Sequence, residues 1–71
     1  MPTFGDRLKE LRNSKNLTQK DMAEIFKMTE RNYQRLEATA KPSYDNLTKF
    51  ATYFEVSTDY ILGRTDNPNR L

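Results

Sequence analysis

The chain has 71 residues, a net charge of +2 from twelve Lys/Arg against ten Asp/Glu, and neither cysteine nor histidine. That length allows one domain and commits most apolar residues to its core, while the missing thiols and imidazoles exclude disulfides, Cys/His zinc sites and His- or Cys-based catalysis. The charge is uneven, with nine bases facing six acids from Met1 to Lys41 and three facing four thereafter, so a polyanion would favour the N-terminal half.

Nowhere do β-branched and polar residues alternate over a useful length, so the fold class is all-α: five short helices around one core. Phe4, Leu8 and Leu11 recur at helical spacing and predict a first helix over about 4–15. Thr3 is its N-cap, Asp6 stands in capping-box position, and Asn16 closes it where left-handed backbone is tolerated. Thr18, with Asp21 three residues on, starts a second helix ending near Phe26 or Lys27. Thr29 caps a third over about 30–37, ended within 38–42 because Pro42 restrains the residue before it. Ser43 caps a fourth, in which Tyr44, Leu47, Phe50, Ala51 and Phe54 follow the spacing of a buried stripe. Ser57 or Thr58 starts a short fifth helix through Tyr60, Ile61 and Leu62, ended by Gly63. A domain over 1–63 is thus followed by a polar tail over 64–71, with one apolar residue in eight, expected to be loose. No apolar run approaches the roughly 20 residues that cross a bilayer, and MPTFGDRLKE lacks a signal peptide's apolar segment. The expectation is a soluble cytoplasmic protein with no membrane partner.

Helices 2 and 3 are too short to be stable alone. Ala23 is small where they would cross, Phe26 and Met28 bracket the connection, and Tyr33 and Leu36 point back at the core. This spacing predicts a helix-turn-helix, with the second helix lifted onto the surface by the first. At about 100° per residue, Glu30, Arg31, Gln34 and Arg35 share the opposite arc. Arginine can form paired bonds to guanine, glutamine to adenine, and glutamate can accept from cytosine, so the arc suits major-groove reading. A merely solvated polar face would look much the same on this helix alone; the spacing of the helix pair favours readout.

The stretch LKELRNSKNLTQKDMAEIFKMTERNYQRLE, followed by KPSYDNLTKFATYFEVSTDYILG, resembles the lambda-repressor-like (Cro/CI or Xre) helix-turn-helix family over about residues 4–63. The resemblance rests on a Leu-x-x-Arg first helix, Leu-Thr-Gln opening the second and Ala-Glu at its centre. It continues through Tyr-x-x-x-Glu ending the third, Pro-Ser before the fourth and Val-Ser-x-Asp-Tyr-x-Leu-Gly at the fifth. It implies sequence-specific binding to double-stranded DNA, usually as a transcriptional repressor, with the third helix in the major groove. It further implies that Glu30, Arg31 and Arg35 read bases, flanked by Thr29, Asn32 and Gln34. Gln19, grouped with the base-contacting residues, matches a position whose amide contacts a phosphate or supports a neighbouring reader, and Arg12 and Glu37 match a charged pair joining the first helix to the third.

Phosphate contacts are expected from the helix N-termini after Thr18 and after Ser43, where Tyr44 follows, and from Lys15, Lys20 and Lys41 nearby. Two positions depart from the family pattern: Lys27 stands where the turn commonly has glycine, and Thr39 lies nearest the glycine commonly found after the third helix. Positive φ would strain either residue, so both turns are expected to be rearranged, while Lys27 brings a cation towards the phosphates. One domain covers few base pairs, so a palindromic operator and a homodimer, weak or DNA-dependent, are expected. Tyr60, Ile61 and Leu62 are the candidate dimer residues, with filling the core an equally good use for Ile61.

A phage-type repressor, an antitoxin and a restriction-modification controller share this pattern. A helical protein-interaction module without DNA binding is the alternative of a different class. An enzyme would need a carboxylate or Ser-Lys site, and no pair of acids lies in an apolar setting. No catalytic residue, cofactor or metal is assigned.

Overall fold

Thr and Ser side chains set where the helices begin. Thr3, Thr18, Thr29, Ser43 and Ser57 each accept a hydrogen bond from the backbone N–H three residues on, a cap worth about 1 kcal/mol. Asp6 and Asp21 return the bond to Thr3 and Thr18, completing two capping boxes. The computed structural model describes residues 2–39 and 41–69 and gives α1 Phe4–Ser14, α2 Gln19–Ile25, α3 Glu30–Ala38, α4 Tyr44–Phe54 and α5 Thr58–Ile61. Ala40, in the stretch expected to end the third helix, and Arg70 and Leu71 of the tail lie outside the described residues. Among the described residues, no helix is long and apolar enough to cross a membrane.

Each helix sends one wholly buried side chain to the centre: Leu8, Met22, Tyr33, Phe50 and Ile61. Phe50 is the hub. Its ring lies 6.1 Å from Phe4, 4.6 Å from Phe26 and 6.3 Å from Tyr33 between centroids, and the latter two meet it edge-on, as aromatic quadrupoles prefer. Because none of these helices exceeds 11 residues, this shared packing rather than helix propensity holds them.

Several expectations change. Tyr44 continues the apolar spacing of α4 yet is 84% exposed, because it is the first helical residue and projects beyond the core. Ile61, open between the core and a dimer face in the sequence, fills the core, and Arg7 lies over the ring of Tyr60 at 4.0 Å. Over its described residues, 64–69, the polar tail is tied to the domain rather than loose: the Arg7 guanidinium donates to Asp66 at 2.6 Å, and the Ser57 N–H donates to the Pro68 carbonyl at 3.0 Å.

The two expected turn rearrangements have opposite outcomes. Lys27 keeps the left-handed backbone at φ 55° despite its side chain, a conformation costing about 1–2 kcal/mol outside glycine. The reward is a closed α2 terminus, where the Met28 N–H donates to the Ala23 carbonyl at 2.9 Å. Thr39 instead leaves α3 with φ −146°, so no positive φ is required after the third helix. The α2–α3 connection spans residues 26–29, because α2 ends at Ile25 and Phe26 serves as its C-cap.

One backbone contact fixes the position of α3. A Cβ built on Gly5 would lie 2.1 Å from the Glu37 carbonyl oxygen, so only glycine lets the start of α1 touch the end of α3. Gly5→Ala is expected to force these helices apart and destabilise the domain by about 1–3 kcal/mol, read as a lower urea midpoint at unchanged slope.

Candidate nucleic-acid interface

The surface of interest is built outward from one buried carboxylate. Glu37, whose side chain is 6% exposed, accepts from Arg12 Nε at 2.7 Å and Nη2 at 3.3 Å, from Gln19 Nε2 at 3.1 Å, and from the Tyr33 hydroxyl. Arg12 Nη1 also donates to the Leu17 carbonyl at 2.8 Å. The cluster thereby ties α1, the start of α2 and the end of α3. Burial alone would push the Glu37 carboxyl up, but the bonds from Arg12, Tyr33 and Gln19 outweigh it and hold the carboxyl below its ordinary value. Burial, then Glu37, pushes the Tyr33 phenol far up, and the bond to Glu37 keeps the Arg12 guanidinium charged.

With Tyr33, Leu36 and Glu37 turned inward, Glu30, Arg31, Gln34 and Arg35 are left exposed on the outer face of α3. Gln34 Nε2 donates to Glu30 Oε2 at 3.2 Å, so these two amide and carboxylate tips are paired along the helix. Among the described residues no carboxylate lies within 4.0 Å of Arg31 or Arg35. Both guanidiniums are therefore free to form the bidentate bonds that their planar forks favour. Thr29 and Asn32 are exposed at the leading end, where the Thr29 hydroxyl accepts the Asn32 N–H as N-cap. Gln19 stands apart from this face: its amide is half-buried and directed at Glu37.

The candidate phosphate contacts are scattered around this face. Thr18, Lys20, Lys27, Lys41, Ser43 and Tyr44 are exposed, and Lys15 lies over the Tyr53 ring at 5.5 Å. At Thr18 the helix start already has an anion. Asp21 accepts the Thr18 N–H at 2.9 Å, and that bond, with one from the Thr18 hydroxyl, lowers its carboxyl pKa. A phosphate there would meet the outward-facing amides beside a carboxylate, whereas Ser43 caps α4 without such a reciprocal bond.

Two further features stand out. Arg7 is 6% exposed and packs between Tyr60 and Asp66, with its Nε unpartnered. Its sequence signal is absent, since the partner lies 59 residues away. The Tyr33 hydroxyl is the second, and the four-residue spacing from Tyr33 to Glu37 is the signal that points to it.

Comparison with known proteins places this geometry. The helix-turn-helix family model matches residues 8–61. In Bacillus subtilis (strain 168), the uncharacterized HTH-type transcriptional regulator YobD is 41% identical over 67 residues, covering 93% of this chain and 60% of the relative. The SPbeta prophage-derived HTH-type transcriptional regulator YonR is 40% identical over 63 residues, covering 87% and 58%. The HTH-type transcriptional regulator ImmR is 37% identical over 65 residues, covering 90% and 51%. The chain thus spans between half and three-fifths of the length of these curated relatives.

Because the folded-state pKa of Glu37 is depressed, its contribution to stability is complete above the ordinary glutamate value of about 4.3 and is lost as pH falls through the lower folded value. Urea unfolding is expected to give a Glu37→Gln variant about 3 kcal/mol less stable at pH 7, from the unpaired buried Arg12. The same variant should lose less stability than the parent on acidification below about pH 4.3.

Proposed function

The chain belongs to the Cro/CI-type helix-turn-helix family of transcriptional regulators, and on that premise we propose that it binds double-stranded DNA sequence-specifically as a repressor, with α3 in the major groove. Arg31, Arg35, Glu30 and Gln34 meet base edges, and Thr29 and Asn32 make flanking contacts at the start of the helix. Gln19 braces Glu37 and, through it, the angle of α3. Lys20, Lys27, Lys41 and the start of α4 at Ser43 and Tyr44 meet the phosphates, and Lys15 and Thr18 lie at the far edge.

The observation that carries this reading is the pair of exposed, uncompensated guanidiniums on a helix whose opposite face is locked by a buried carboxylate cluster. A solvated helix needs no such cluster, whereas a reading helix gains from being held in one orientation. Two copies on a palindromic operator would double the few base pairs that one α3 can reach. The prophage origin in the name of one relative suits a phage-type repressor.

Selection of bound duplexes from a random pool is expected to return two inverted half-sites, and the absence of any favoured sequence would overturn the proposal. On the selected site, Arg35→Ala should cost about 1–3 kcal/mol and relax preference at one base position. Equal weakening on selected and random duplexes would instead assign Arg35 to the backbone.

A further inference from the structure

Two rows of side chains run side by side along the exposed face of α3. Glu30 and Gln34 form one and Arg31 and Arg35 the other, the members of each row standing four residues apart and so one helical turn from each other. The rows differ in chemistry. The guanidiniums carry donors only. In the other row Gln34 Nε2 donates to Glu30 Oε2 at 3.2 Å, which uses one amide hydrogen and leaves Glu30 Oε1 and Gln34 Oε1 without a hydrogen-bond partner among the described residues. A row that shows acceptors and a negative charge thus lies beside a row that shows donors and two positive charges.

Glu30 has no cation of its own. Among the described residues no Lys or Arg nitrogen lies within 4.0 Å of its carboxylate, and Arg31, its neighbour in sequence, projects from a different side of the helix. Glu30 is also the first residue of α3, the end of a recognition helix that approaches base edges. A carboxylate that enters the major groove in this state must meet a donor there or be desolvated unpaired. The base edges offer two donors, cytosine N4 and adenine N6. They are not equivalent. Adenine carries the N7 acceptor beside its donor, which sets like partial charges against a carboxylate, whereas cytosine shows no acceptor in that groove. Guanine and thymine present no donor at all. The neighbouring guanidiniums suit the other half of the same pair, because the guanine opposite a cytosine shows O6 and N7 to a bidentate donor.

We infer that Glu30 selects cytosine and that Gln34 is its positioning residue rather than an independent reader of adenine, so that the contacted step is a G·C pair with guanine under the arginine row. Sequence considered alone gives the Gln34 amide to adenine, and the bond to Glu30 reassigns it. This division of roles rests on the DNA-binding reading above and deepens it by naming the base.

The test repeats the selection of duplexes with the parent chain, Glu30→Gln and Gln34→Ala, then titrates each protein against the parent's selected duplex and its single-pair replacements. Glu30 and Gln34 are exposed, and matched thermal midpoints would verify that both variants keep the fold. The parent is expected to return one cytosine position in each half-site at which any other base weakens binding by roughly 5- to 150-fold. Glu30→Gln puts an amide in place of the carboxylate and should move the preference at that position, and at no other, from cytosine to adenine. Gln34→Ala should keep cytosine as the preferred base but narrow its advantage by roughly 2- to 10-fold, because Glu30 must then be ordered at the encounter. The guanine preferences should persist in both variants. A selected site with adenine at a position that Gln34→Ala alone erases would return that amide to adenine and overturn the proposal, with DNA recognition left standing. An unchanged base preference in Glu30→Gln would overturn it in the same way, and an undiminished cytosine preference in Gln34→Ala would overturn the positioning role. If the parent selects no duplex, the DNA-binding reading falls and this assignment falls with it.

Discussion

A carboxylate buried at the junction of three helices is costly unless its charge is answered locally. In this chain Glu37 receives donors from α1, α2 and α3 at once, and the outer face of α3 is defined by what those donors hold inward. Each bond acts on rotation: Arg12 and Gln19 donate from α1 and α2, while Tyr33, one turn back, donates to Oε2 from within α3. An apolar residue at position 37 could fill the same space, and such replacements are often neutral or stabilising. It would leave the helix freer to roll. The carboxylate therefore serves orientation more than stability, and the backbone contact at Gly5 limits the same helix end in translation.

The distribution of cations follows from this inner network. Arg12 is consumed by Glu37, and Arg7 is enclosed by Tyr60 and Asp66. Neither is available to a partner, although both count towards the basic half of the sequence. Arg31 and Arg35 differ from them only in facing outward from a helix whose acids are engaged elsewhere, Glu37 inward and Glu30 with Gln34. The net charge of +2 does not reveal which cations are available, because charge that is internally paired contributes little at a distance.

Much of the fold was legible because it is encoded locally. The Ser or Thr before each helix and the aspartates three residues after Thr3 and Thr18 mark helix starts within a few residues of chain. The helix boundaries accordingly fall within a residue or two of those expected. Tyr44 was misread because a 3, 4 spacing does not reveal where a helix outruns its core. Lys27 was misread in another way: steric preference disfavours the left-handed turn there, but the hydrogen bond from Met28 to Ala23 overrides it. The Glu37 cluster was visible in part, as a pair with Arg12 implied by family resemblance. The places of Gln19 and of the Tyr33 hydroxyl depend on interhelical angles that no short window contains. Arg7 and Asp66 leave no local trace at all.

The five side chains that meet at the centre, one from every helix, have a kinetic meaning. No single helix can melt without removing a member of the same aromatic and aliphatic knot, so opening is expected to be all-or-none rather than piecemeal. A surface rod anchored in this way arrives at its target already ordered, and its conformational entropy has been surrendered during folding instead of at the encounter. Association then depends on diffusion and orientation, not on a search through partly formed states.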